Sequence, residues 1–354
     1  MDAPDPAAPP SLLVVADRVE ARLARLFDDE VGRWRELSED LVAPLESLRS
    51  LVMGGGKRLR PAFCFWGFRC AGGDPVDDAV IDAGAAFEML QAFALVHDDV
   101  MDGSAVRRGA RTAHLAFGDR HADDGWRGGA RRFGEGVAIL IGDLAHVYAD
   151  QLLPRRNPDV HQVWDELRIE LNVGQYLDLL GTARADIDPA AARRIARYKS
   201  GKYTIERPLH VGAALAGRLA ELEGPLSAYG DPLGEAFQLR DDLLGAFGEE
   251  QATGKPVGDD LREGKPTPLL AAASASATTS QAEVLGEVGT SDLDDAGIAA
   301  IQQVLTDTGA VRAIERSIDD LTAEALAAIE QAPIADEARQ ALVELAHFVA
   351  WRQS

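Results

Sequence analysis

Apolar residues along this chain recur at intervals of three and four from Leu12 to its end. Alternating runs rich in β-branched residues, the mark of half-buried strands, are nearly absent. Pro and Gly cut the pattern into helix-length pieces. These predict helices over Asp17–Val42, Pro61–Ala71, Val76–Asp102, Gly136–Leu152, Val160–Leu180, Pro189–Leu219, Pro232–Phe247, Thr267–Ala277, Asp294–Thr308, Ala310–Gln331 and Ala335–Trp351. Ile81 to Val96 is apolar almost all round, as a buried helix is. Residues 103–135, rich in Gly and Arg, read as a long loop with room for a short helix, and residues 248–266 as a second. Residues 271–292, rich in Ala, Ser and Thr, read as including a mobile connection. No tandem repeat or domain boundary shows. The expectation is a disordered tail over 1–10 and one large all-α domain over 11–354.

Two acidic clusters interrupt this apolar pattern: Asp98-Asp99-Val100-Met101-Asp102, and Asp241-Asp242-Leu243-Leu244-Gly245. Asp98 and Asp102 are spaced i, i+4, so a helix puts both carboxylates on one face. Carboxylates at the end of a buried helix repel one another and are costly to desolvate, and a divalent cation removes that cost. A few hard oxygen ligands suit Mg²⁺, which keeps waters and shares its shell with phosphate. Asp-Asp pairs are frequent elsewhere, as at Asp28-Asp29 and Asp123-Asp124, so the acids alone do not decide the matter.

The basic groups do. Gly54-Gly55-Gly56-Lys57-Arg58-Leu59-Arg60-Pro61 leads into a predicted helix. Glycines let backbone N–H groups approach an anion, and a helix N-terminus adds positive potential. Arg107-Arg108-Gly109 follows the first acidic cluster, and Arg makes two-pronged contacts to phosphate oxygens. Lys199, Lys202, Lys255 and Lys265 are further candidates, each weak alone.

Composition narrows the classes. Of 354 residues, 46% are hydrophobic and 27% charged, enough for one large core or two ordinary ones. A formal net charge of -22 argues against nucleic acid and against adsorption to anionic membrane. It does not exclude an anionic substrate, because bound cations reverse the local sign. Two cysteines, Cys64 and Cys70, make a disulfide framework unlikely and fit a reducing cytoplasm. Glu88 and Gln91 interrupt the longest apolar run, so stable membrane insertion is not expected, and the acidic start lacks the basic region of a signal peptide.

Taken in order, the motifs resemble the trans-isoprenyl diphosphate synthases, the polyprenyl synthetase family. GGGKRLRP, LVHDDVMDGSAVRRG, Asn172–Gln175, Tyr198–Gly201, FQLRDDLLG and TGKPVGDDLREGK each resemble a family element, from about Leu51 to Leu270. The resemblance implies an all-α bundle around a deep central cavity, the two acid clusters facing each other across its mouth, and a homodimer. It implies a Mg²⁺-dependent prenyltransferase that condenses isopentenyl diphosphate with dimethylallyl, geranyl or farnesyl diphosphate, with three ions per site. Lys57, Arg60, Gln91 and Arg108 fall where isopentenyl diphosphate is held; Arg107, Lys199, Gln238 and Lys255 fall on the allylic diphosphate. Asp98, Asp102 and Asp241 fall on the metal ligands, with Asp99 and Asp242 supporting; Asp98, Asp102, Asp241 and Lys199 form the expected catalytic set. His97 and His114 flank the first cluster, and His97 reads as a packed neighbour of the acids.

Three positions depart from the family pattern. Ser200 stands for Thr, Arg111 for Pro, and Gly245 for the last Asp of the second motif. The last is expected to weaken, without abolishing, metal binding from that side, because the first Asp carries most of it in the family. Phe93, five residues before Asp98, is the expected floor for the growing chain, about 7.5 Å deeper along a helix axis. An aromatic at this position with no insertion in the motif resembles the geranylgeranyl diphosphate synthases of the family, which implies geranylgeranyl diphosphate, with farnesyl diphosphate the alternative. A class I terpene cyclase shares the acidic motif but leaves Lys57, Arg60 and Arg108 without work. A non-catalytic partner subunit would have lost acids that the first motif retains.

Overall fold

The computed structural model describes residues 8–155, 157–184, 188–248, 257–290 and 292–352, and among these it is all-α. The exception is a two-stranded antiparallel ladder, Val106–Arg107 with Ala110–Arg111. Its two-residue turn has Arg108 at φ 53° and Gly109 at φ 72°. Positive φ at both central positions matches the twist of a tight hairpin, which is why Gly follows the arginine pair.

The described residues divide into two compact units: those of Leu12–Phe65 and Asp74–Asn157, and those of Trp66–Gly73, Pro158 onward and residues 8–11. In the first, helices Ala16–Arg35, Val42–Met53, Ala113–Asp123 and Ala130–Leu152 accompany Asp78–Asp102, which packs along Ala130–Leu152. Asp77 caps Asp78–Asp102 by accepting from the Ala79 N–H at 2.8 Å, and Gly103, at φ 69°, ends it. Phe87, Met89 and Leu90 on it are fully buried, each worth about 1.5–3 kcal/mol. By length and composition this helix is apolar enough to cross a membrane, although Glu88 and Gln91 interrupt it. With 67% of its apolar window buried inside the fold, it is a core helix.

In the second unit, helix Leu219–Phe247 packs against Ala310–Glu330, Asp336–Trp351 and an 11-residue π-helical segment, Ala196–Glu206. Its Leu239, Leu243 and Ala246 meet Leu261, Leu269, Ile298, Ile301, Leu305, Ile314 and Ile318 in one apolar cluster. The π segment lies against Pro158–Arg184 and is followed by Arg207–Leu215. A buried polar network ties these elements. Arg207 donates twice to Glu170, at 2.7 Å each; Lys202 reaches Glu206 at 2.9 Å; Ser227 donates to Glu206 at 2.8 Å and meets His210 at 3.1 Å. Burial pushes the His210 imidazole below its usual pKa.

Several boundaries differ from the sequence reading. Leu219–Phe247 runs through Pro225 and Pro232, where the sequence predicts a start at Pro232; tertiary packing outweighs the two lost backbone bonds. Residues 103–135 hold the helix Ala113–Asp123 and the start of Ala130–Leu152. The expected connection over 271–292 contains helix Thr279–Leu285, started by a capping box of Thr278 and Gln281. Residues 1–7 of the expected tail lie outside the described residues, while Pro10–Leu13 is a helical turn.

Candidate diphosphate and metal site

In the first unit, Gly54 closes helix Val42–Met53, its N–H donating to the Ser50 carbonyl at 2.9 Å. Gly55 and Gly56 then take φ of 101° and 140°, open only to glycine. Arg58 turns inward and is 3% exposed. It pairs with buried Glu88, donates to Glu20 at 3.2 Å and to the Val52 carbonyl at 3.0 Å. Arg58 is thus the anchor of the loop, and Lys57 and Arg60 on either side of it, both half-buried, remain the anion-binding candidates. The anchor was not legible in the motif, where three basic residues look alike.

Arg108 is brought to the same loop. Its guanidinium donates to the Leu51 carbonyl at 2.8 Å and to the Gly55 carbonyl. A Cβ at Gly56 would stand 3.1 Å from it, so the glycine makes room for an arginine. Burial lowers the Arg108 pKa, and Arg58, Arg60 and Arg107 lower it further against the opposing field of Glu88. Guanidiniums gathered this closely gain from a multiply charged anion.

Arg107 faces the acids. It donates to Asp99 at 2.8 and 2.6 Å and lies 3.6 Å from Asp98. Asp99 is buried in this pair, while Asp98 and Asp102, one turn apart, are half-buried at the helix end. His97 packs as expected: its Nε2 lies 3.0 Å from the Ile139 carbonyl, and Gly142 leaves no room for a Cβ against it. Phe93 is half-buried, stacked on His146 at 4.8 Å and edge-on to His97 at 4.8 Å. Gln91 lies on the same helix, half-buried, two turns before Asp98.

In the second unit, Lys199 on the π segment donates to buried Asp178 at 2.5 Å. A Cβ at Gly174 would stand 2.4 Å from the Lys199 backbone nitrogen, so that glycine lets the segment approach. Asp178 was missed in the sequence; its signal is the one-turn spacing from Gln175. On Leu219–Phe247, Gln238 donates to Asp242 at 2.7 Å. Asp242 is 5% exposed, and its Oδ2 has no hydrogen-bond partner. Burial drives its carboxyl well above the usual range, and Asp260, Asp241 and Asp178 add to the shift against the Gln238 hydrogen bond. Asp241 is more open and pairs with Arg352. A Cβ at Gly245 would stand 1.9 Å from Asp260 Oδ2. The carboxylate of Asp260 therefore fills the place that a longer residue at 245 would need. Lys255 lies outside the described residues.

The donors fit Mg²⁺. All are carboxylates, and the orphaned Asp242 oxygen in a field of three neighbouring acids is stabilised by a cation. Among the described residues, no three acidic, His or Cys side chains form a ready metal cage.

The model of the family described as polyprenyl synthetase matches residues 44–306. The chain is 31% identical to a geranylfarnesyl diphosphate synthase of Aeropyrum pernix over 83% of its own length and 89% of the relative. It is 29% identical to a (2E,6E)-farnesyl diphosphate synthase of Mycobacterium tuberculosis over 98% and 90%. A solved structure of geranylgeranyl pyrophosphate synthase from Corynebacterium glutamicum, complexed with isoprenyl diphosphate and magnesium, matches at TM-score 0.91 and 37% identity, covering 96% of this chain and 99% of that one.

Proposed function

Because the chain belongs to the polyprenyl synthetase family, we propose that it condenses isopentenyl diphosphate with dimethylallyl, geranyl or farnesyl diphosphate to give geranylgeranyl diphosphate. It is a trans-prenyltransferase. The observation that carries the substrate reading is the loop Gly54–Arg60 with Arg108 folded onto it, beside a helix ending in Asp98 and Asp102. The first is a cation-rich cradle for one diphosphate, and the second is a carboxylate pair for metal on another.

Lys57, Arg60, Gln91 and Arg108 bind isopentenyl diphosphate in this reading. Arg107, Lys199, Gln238 and Lys255 serve the allylic diphosphate. Asp98, Asp102 and Asp241 hold Mg²⁺, three ions in all, with Asp99 and Asp242 supporting. When bound, the metal supplies positive charge that stabilises the departing diphosphate. Arg107 keeps the Asp98–Asp102 helix end in place through Asp99, and Asp178 holds the Lys199 ammonium at the π segment. Neither lysine nor arginine gives up a proton; their work is electrostatic. The C3–C4 double bond of isopentenyl diphosphate attacks the allylic carbon, and a proton leaves C2, with the released diphosphate as its acceptor.

Product length rests on Phe93. It is half-buried between His146 and His97 rather than packed in the core, while Met89 and Leu90 one turn below are fully buried. That supports a floor at Phe93 and the geranylgeranyl product, with farnesyl diphosphate the alternative. Residues 11–354 act as one functional domain, since the family match spans residues of both units. A homodimer is supported by exposed Ile139, Leu140 and Val147 on Ala130–Leu152 and by Ile169, Val173 and Tyr176 on Pro158–Arg184. Free, buried Cys64 and Cys70 support a cytoplasmic location. The deciding experiment incubates the purified chain with isopentenyl diphosphate and each allylic primer, with Mg²⁺ or with EDTA. Chromatography of the dephosphorylated products should show geranylgeraniol with Mg²⁺ only. No prenyl product with any primer overturns the reading.

A further inference from the structure

Arg352 lies near the end of the chain and belongs to none of the motifs. Its side chain is 2% exposed. One guanidinium nitrogen donates to the Val349 carbonyl at 2.8 Å; the other donates to the Phe237 carbonyl at 3.4 Å and to Asp241 Oδ1. The guanidinium carbon stands 4.2 Å over the Phe237 ring. Nearby, Arg240 donates to the Ala350 carbonyl at 2.7 Å, fastening the end of helix Asp336–Trp351 to helix Leu219–Phe247. A cation held by two carbonyls, a ring and a carboxylate does not swing away readily. Asp241 keeps 42% of its side chain exposed, so it is open to solvent while already carrying a protein cation.

We propose that Arg352 is a built-in counter-ion that keeps Asp241 from collecting divalent metal on its own and reserves it for metal arriving with a diphosphate. This deepens the reading of Asp241 as a metal ligand and rests on it. Two effects of Arg352 oppose each other. It fixes the carboxylate in one rotamer, which helps a metal bind, and it repels a divalent ion sharing that carboxylate. The repulsion between a monovalent and a divalent cation at such range outweighs the entropy of one Asp rotamer. A diphosphate reverses the balance, because its negative charge is attracted by Arg352 as well as by the metal.

The test measures Mn²⁺ uptake by the intact protein without substrate, from the electron paramagnetic resonance of free Mn²⁺, with and without inorganic diphosphate. Arg352→Gln should take up Mn²⁺ about tenfold more tightly than wild type in the absence of diphosphate. The enhancement by diphosphate should shrink accordingly. Arg352→Lys, which keeps the charge, should follow the wild-type isotherm. In Arg352→Gln combined with Asp241→Asn the gain should vanish. Equal or weaker Mn²⁺ uptake by Arg352→Gln overturns the proposal, and so does a gain that survives Asp241→Asn. Arg352→Met still covers the Phe237 ring and gives the same readout if the Gln variant does not fold. If Asp241→Asn alone leaves Mn²⁺–diphosphate uptake unchanged, the assignment of Asp241 as a ligand fails instead.

Discussion

Three neighbouring basic residues, Lys57, Arg58 and Arg60, have different work. Arg58 is spent on Glu88 inside the fold. Breaking a buried pair leaves its partner charged and unsatisfied, at a cost of about 3–5 kcal/mol. Arg58→Met should therefore lose stability of that order in urea unfolding. Lys57→Ala and Arg60→Ala should keep most of their stability and raise KM for isopentenyl diphosphate more than for the allylic substrate. Lys199→Ala should do the reverse; its removal also strands buried Asp178, so part of its effect will appear as lost stability. The two-subsite assignment is falsified if steady-state kinetics show both sets shifting both constants alike.

At the scale of elements, the π segment Ala196–Glu206 stands out, because it carries Lys199 and is clamped on both sides. Gly174 permits its approach from Pro158–Arg184, and Gly201 meets Gly234 of Leu219–Phe247 backbone to backbone, with Cβ positions within 3.0 Å. Gly174→Ala would press a methyl group on the Lys199 backbone. Overpacking of this kind costs about 1–3 kcal/mol. Its stability should fall by that amount, and the KM for the allylic substrate should rise with it. His210 gives the same network a pH dependence. Its folded pKa is depressed below the ordinary 6.5 by burial, so as pH falls below that value the unfolded chain takes up the proton first. Stability should therefore drop from about pH 6.5 downward, and His210→Gln should lose that part of the slope in thermal unfolding at successive pH values.

Over the whole molecule, the product is the integrated readout. Phe93 is braced by an imidazole from its own helix and another from Ala130–Leu152. Truncating it opens space toward Met89 and Leu90. Phe93→Ala should lengthen the main product by at least one five-carbon unit, read by chromatography of the dephosphorylated alcohols. An unchanged length would place the floor elsewhere.

The amino-acid sequence by itself determined the fold class, the two acidic motifs and the glycine-flanked basic loop. It could do so because helical periodicity, i, i+4 carboxylates and glycine punctuation are local properties of a chain. It misjudged Pro232 as a helix start, since helix Leu219–Phe247 is held by packing that no local window contains. Only the tertiary structure separated Arg58 from its neighbours, gave Asp260 the space beside Gly245 and set Arg352 on Asp241. For two of these the deciding partner lies far along the chain: Glu88 for Arg58, and Asp241 for a guanidinium 111 residues away. Whether a charge is spent inside the fold or offered to a ligand depends on what the folded backbone brings to it. Residue type and spacing carry no record of that partner.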